Sequence, residues 1–69
     1  MTYRELTRKL RRLGCYFDRQ GRGGHEIWMN ADSRTRTTIP NWGSRDLRPG
    51  TIGAILHDLG ISRDDFERV

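Results

Sequence analysis

The run Gly21-Arg22-Gly23-Gly24 constrains the topology of this chain more than any other stretch. Residues that tolerate positive φ suit a tight reversal. The segments on either side, Cys15 to Gln20 with aromatic Tyr16 and Phe17, and His25 to Asn30, have the two-residue period of strands. A second turn, Ala31-Asp32-Ser33-Arg34, leads into the β-branched run Thr35 to Ile39, which Pro40 ends. Together they predict a three-stranded antiparallel meander.

Helical patterns bracket the meander. Thr2 and Glu5 have capping-box spacing, and Tyr3, Leu6, Leu10 and Leu13 recur at helical intervals until Gly14 offers a C-terminal stop. Asn41 to Arg48 lacks a period and reads as a loop. Pro49 then suits a first helical turn, Ile52, Ile55, Leu56 and Leu59 form an apolar stripe, and Gly60 ends it. Ser62 and Asp65 repeat the capping spacing before Phe66, which predicts a short third helical turn. The expected fold is α+β, in the order α-β-β-β-α, with two helices packed on one sheet face and the other face open. Leu6, Leu10, Leu13, Trp28, Ile39, Ile52, Ile55 and Leu56 are the expected core. A chain of 69 residues is expected to form one domain, residues 1–69, whose thin core leaves no room for a deep, layered active site.

Thirteen basic residues against nine acidic ones leave a net charge of +4, which favours a polyanionic partner, nucleic acid first among them. All the basic residues except Lys9 are arginines. Arg4, Arg8, Lys9, Arg11 and Arg12 lie on the polar side of the first helix, fitting either a solvated face or a stripe of phosphate contacts. Cys15 stands alone, so no intrachain disulfide forms, and His25 and His57 have no thiol beside them. No metal site and no cofactor is expected. No apolar run approaches the about 20 residues of a membrane span. The amino terminus lacks a secretory h-region, so the expected location is the cytoplasm, with no membrane partner.

Two features bear on chemistry. The glycine-rich run fits an ordinary hairpin turn first, because Gly dominates such turns for steric reasons, and an anion cradle of backbone N–H groups second; its spacing matches neither a P-loop nor a dinucleotide fingerprint. His25 follows it directly. An imidazole with an unperturbed pKa of about 6.5 can take the proton of a ribose 2′-hydroxyl near neutral pH. Cations must then offset charge developing on the phosphate, and Arg19, Arg22 and Arg36 are expected at neighbouring strand ends and in the turn. The bland alternative is that His25 is a surface residue. His57, beside the second helical stripe, reads as partly exposed and neutral in role. Trp28 reads as core, and Trp42, in the loop after Pro40, as the better contact for a ligand or partner.

Helix one followed by Gly14-Cys15-Tyr16-Phe17, Arg19-Gln20, Gly23-Gly24-His25 with Trp28 three beyond, Thr38-Ile39-Pro40, Pro49-Gly50-Thr51 and Ile55-Leu56 closely resembles the HicA toxin family. The resemblance spans essentially the whole chain. It implies a double-stranded-RNA-binding-domain-like fold and cleavage of mRNA that depends on the histidine after the glycine turn, here His25. Arg8, Arg11, Arg12, Arg19, Arg22, Gly23, Gly24 and Arg36 are then the candidate RNA-binding positions. It also implies a HicB-type antitoxin that covers the active surface. In two places the sequence departs from the family pattern. Gly24 stands where a serine is common, and Asn41 to Asp46 lacks the usual lysine-rich, histidine-containing pattern. The reading that competes with a nuclease is a non-catalytic RNA-binding module on the same fold.

Overall fold

A computed structural model describes all residues, 1–69. The chain forms α1 (Tyr3–Arg12), β1 (Cys15–Gln20), β2 (His25–Asn30), β3 (Thr35–Pro40), α2 (Pro49–Leu59) and α3 (Arg63–Glu67). The strands make one antiparallel sheet in the order β1-β2-β3, so the α-β-β-β-α arrangement read from the sequence is the one observed. No helix is long and apolar enough to cross a membrane.

Local chemistry explains the boundaries. Thr2 and Glu5 close a reciprocal capping box at the start of α1, which satisfies two of the donors that a helix end leaves open. Leu13 is the C-cap and Gly14 follows at φ 89°. α2 begins at Pro49, with no side-chain cap on Arg48, and ends at Gly60 in the left-handed region. In the first hairpin, Gly21 N–H donates to the His25 carbonyl and His25 N–H to that of Arg22, with Gly23 at φ 58°. A β-branched or bulky residue would be strained at that angle.

β1 carries one irregularity: Phe17 opposes Trp28 and Arg19 opposes Ile27, so Asp18 is an extra residue in the ladder. Sequence alternation alone does not reveal such a bulge, because the period on each side remains two. It returns Arg19 to the same side as Tyr16. Without it Arg19 would have faced the helices.

The two sheet faces are thus chemically distinct. Glu26, Trp28 and Asn30 of β2, with Thr37 and Ile39 of β3, are buried on the side that the helices cover. Of the expected core, Leu6, Leu10, Trp28, Ile39, Ile52, Ile55 and Leu56 are buried, while Leu13, at the helix cap, is partly buried and packs against them. Cys15, Leu47, Leu59 and Phe66 complete the cluster. Leu47 comes from the aperiodic loop, which has no repeating pattern to mark it. Its N–H donates to the Met1 carbonyl, tying the loop to the amino terminus.

Polar groups on the covered face are paired. Asn30 Nδ2 donates to the Leu59 carbonyl at 2.8 Å, satisfying one end of α2, and Thr37 Oγ1 donates to Asp58 Oδ2 at 2.9 Å. No fully buried side-chain nitrogen or oxygen lacks a partner. Replacing Leu10, which is 0% exposed, by alanine is expected to cost about 2–5 kcal/mol, a large share of the stability of a small fold. Thermal or urea unfolding of Leu10→Ala measures this, and a midpoint equal to that of the unmodified protein would remove Leu10 from the core.

Candidate nucleic-acid interface

His25 occupies the first position of β2, exposed, and one residue out of phase with the buried set Glu26, Trp28 and Asn30. Its side chain therefore leaves the sheet on the helix-free face. Its backbone is held firmly. The N–H donates to Arg22 O, the carbonyl accepts from Gly21 N and Gln20 Nε2, and across the ladder His25 stands opposite Pro40. The imidazole itself takes no hydrogen-bond partner from the chain, so both ring nitrogens are available to a ligand.

The register shows what surrounds it. On the helix-free side, Arg19, Ile27 and Thr38 form the next rung of the sheet, and Tyr16, Met29 and Arg36 the one beyond. A depression of about 430 Å³, lined by Arg19, Ile27, Arg36, Thr37, Thr38 and Asp58, runs from the middle of this face over β3 towards α2. Arg19 Nη1 pairs with Asp18 Oδ2 at 2.9 Å, while Arg36 makes no ion pair. In the turn, the N–H groups of Gly23 and Gly24 donate to no acceptor in the chain and face solvent, as an anion cradle requires.

The candidate RNA-binding residues thus fall into two sets. Arg19, Arg22, Gly23, Gly24 and Arg36 share the open face or its rim with His25, although Arg36 lies two rungs away rather than at a strand end beside it. Arg8, Arg11 and Arg12 belong to α1, which packs on the other side of the sheet. Arg8 and Arg12 are exposed and unpaired, whereas the Arg11 guanidinium lies 5.0 Å from the centre of the Trp28 ring, in cation–π range. Lys9 is likewise engaged, over the Phe66 ring and with the Phe66 carbonyl. One helix face is therefore partly structural and partly free.

Gly24 does not occupy a glycine-only conformation. A Cβ built there would meet nothing nearer than the Asn41 carbonyl at 3.8 Å, an ordinary contact, so the backbone would accept the serine common in the family pattern. Trp42 packs partly buried against the core, with Arg45 5.3 Å from its ring centre, and His57 is exposed on α2.

Sequence reasoning missed the group that holds this end of the sheet together. The buried Glu26 carboxylate accepts hydrogen bonds from Tyr3 Oη, from Trp28 Nε1 at 2.9 Å, and from Asn41 Nδ2 at 3.3 Å. Burial pushes its pKa up, but these three hydrogen bonds and the nearby Arg11 more than offset it, so the carboxyl titrates below its ordinary value. Tyr3 is pushed up to about 12, by burial first and then by its bond to Glu26. A signal was present: Glu26 is two residues from Trp28, hence on the same side of the strand, and a carboxylate in that phase needs partners.

An antiparallel three-stranded sheet protein with helices on one face and a basic, histidine-bearing surface on the other belongs to the small α+β proteins suited to polyanions. The family model described as HicA toxin of bacterial toxin–antitoxin matches residues 3–61, and the chain belongs to the HicA toxin family. No curated protein and no solved structure matches it.

The Glu26 cluster predicts how stability responds to pH. Because the folded Glu26 pKa is lowered, its contribution is complete above the unfolded carboxyl value, about 4.3, and is lost as pH falls through the folded value. Tyr3 acts at the other end: its contribution is complete below about 10 and is lost as pH rises towards about 12. Glu26→Gln should remove the acid dependence and weaken the alkaline one, and Tyr3→Phe should remove the alkaline dependence and weaken the acid one, measured as unfolding midpoints against pH. Identical pH profiles for all three proteins would contradict this account.

Proposed function

We propose that the chain is an endoribonuclease toxin that binds and cleaves mRNA in the cytoplasm, with residues 1–69 acting as one unit and a HicB-type antitoxin holding it silent. Membership of the HicA toxin family supports the toxin role. The observation that carries the chemistry is the exposed His25 imidazole, free of partners on a face flanked by arginines, with its backbone held on both sides by the hairpin.

In the proposed reaction, neutral His25 takes the proton of a ribose 2′-hydroxyl, and that oxygen attacks its own phosphorus. The bond from phosphorus to the 5′-oxygen breaks as the new one forms, and the departing oxygen picks up a proton. The products are a 2′,3′-cyclic phosphate and a 5′-hydroxyl. Charge that accumulates on the non-bridging oxygens is met by the free N–H groups of Gly23 and Gly24 and by Arg22 and Arg19 at the rim of the face. Arg36, farther along, and Arg8 and Arg12 on α1 serve to hold RNA outside the reacting linkage. No metal ion takes part in this route.

His25→Ala is expected to lose about 10²-fold or more in cleavage of a defined RNA while keeping its fold and most of its RNA affinity. A substrate with 2′-deoxyribose at the scissile position should resist, and a chelator should leave the rate unchanged. Full activity in His25→Ala, or cutting at the deoxy position, would defeat the mechanism.

The antitoxin is expected to cover the same face, since a partner that silences the site need only deny RNA access to His25. Hydrogen exchange across Gly23 to Trp28 should slow in the toxin–antitoxin complex relative to the free toxin. Unchanged exchange there would place the inhibitory contact elsewhere.

A further inference from the structure

Most apolar side chains in this small protein are gathered under the helices, yet Tyr16 is 48% exposed on the helix-free face and its hydroxyl has no partner. Packing does not require it there. Beside it across the ladder stand the half-buried Met29 and then Arg36, so one rung presents an aromatic ring, a thioether and a guanidinium. The next rung presents Arg19, half-buried Ile27 and the exposed Thr38 hydroxyl, and the depression lies along it. His25 stands one rung further, two residues from Ile27 along β2. Aromatic and aliphatic surface between cations is what unpaired bases need, because every base has a stacking face and every linkage a negative charge.

A duplex would not fit this combination. Its bases are already stacked on one another, and duplex RNA is recognised mainly by shape and by contacts to phosphate and 2′-hydroxyl. The proposed cleavage also needs the 2′-oxygen in line with the departing oxygen, a geometry that a strand free to splay can reach and a regular helix resists. His25 and Met29 are four residues apart on one strand, about 13 Å at the usual rise. A base on Tyr16 therefore stands within a few nucleotides of the linkage at His25, at about 3.4 Å for each stacked nucleotide.

We infer that the helix-free sheet face is a binding track for single-stranded RNA, on which Tyr16 stacks an unpaired base and the Arg19–Arg36 depression holds the neighbouring nucleotide. The inference rests on the nuclease reading for the identity of the ligand and extends it to the substrate class: unpaired rather than duplex RNA. Charge complementarity and continuity with His25 select RNA as the occupant of this face. Arg8 and Arg12, on the other side of the sheet, add attraction but no stacking.

The test measures binding apart from cleavage, with a fluorescently labelled 2′-O-methyl oligonucleotide that lacks the attacking hydroxyl. Affinities are measured for the unmodified protein, Tyr16→Ala, Tyr16→Phe, Arg19→Ala/Arg36→Ala and His25→Ala, against the single strand and against the same strand in a duplex. Tyr16→Ala should weaken single-strand binding about tenfold, or 1.4 kcal/mol, within the range for one stacked base. Tyr16→Phe should restore it, and the arginine pair should weaken it further and flatten its salt dependence. Duplex binding should be weaker and indifferent to Tyr16. His25→Ala should keep most of its single-strand affinity and its dependence on Tyr16, so a failure of the general-base mechanism would appear in cleavage and not in the effect of Tyr16→Ala on binding. Equal single-strand affinity for a folded Tyr16→Ala, or a preference for duplex, would overturn the inference.

Discussion

The Glu26 carboxylate is the point on which this fold turns. It joins α1 through Tyr3, β2 through Trp28, and the segment after β3 through Asn41, bringing three parts of the chain to one buried group. A buried carboxylate with fewer donors would be a liability, since removing one partner exposes the full cost of desolvation of the other. Here three donors and the charge of Arg11 keep the ionised form favoured. The ring that donates to Glu26 is also the largest in the core, and Phe17 meets it edge-on with centres 6.3 Å apart. Apolar packing and charge are therefore organised around the same side chain.

That arrangement also positions His25, the residue before Glu26 at the start of β2. Glu26 points into the fold and His25 out of it, because adjacent strand positions face opposite ways. Holding Glu26 on three sides fixes the pleat of the strand, and the turn hydrogen bonds at Arg22 and Gly21 fix its start. Asn41 contributes twice, since its N–H also donates to the Gly24 carbonyl while its side chain reaches Glu26. The imidazole thus stands on rigid backbone although its ring touches nothing, a combination suited to a group that must meet a substrate in one orientation.

The elements were legible in the sequence because each announces itself by a period or a cap: Thr2 with Glu5, the stripe of Ile52, Ile55, Leu56 and Leu59, and the glycines of the first turn. What was not legible depends on pairing between segments distant in sequence. The Asp18 bulge leaves no mark on alternation, and Leu47 sits in a loop without a period. The commitment of Arg11 to Trp28 is invisible until α1 is laid across the sheet. The glycine turn and His25 could be singled out as a pair, but that Arg19 joins them on one face follows only from the bulge.

The same division explains how so small a chain holds its fold with one side of the sheet and leaves the other side exposed. A thin core can be satisfied by one side of the sheet, and the covered side takes Trp28, Ile39 and the paired polar groups of Glu26, Asn30 and Thr37. The other side is then free of packing demands, so Tyr16, Arg19, His25 and Arg36 can be chosen for contact with a ligand. Gly24 illustrates the distinction. Gly23 is held to its residue type by its backbone, at φ 58°, whereas Gly24 is not, since a side chain there meets only ordinary contacts. The fold therefore leaves the residue type at Gly24 open, and the absence of a side chain next to His25 leaves the adjoining backbone N–H groups uncovered.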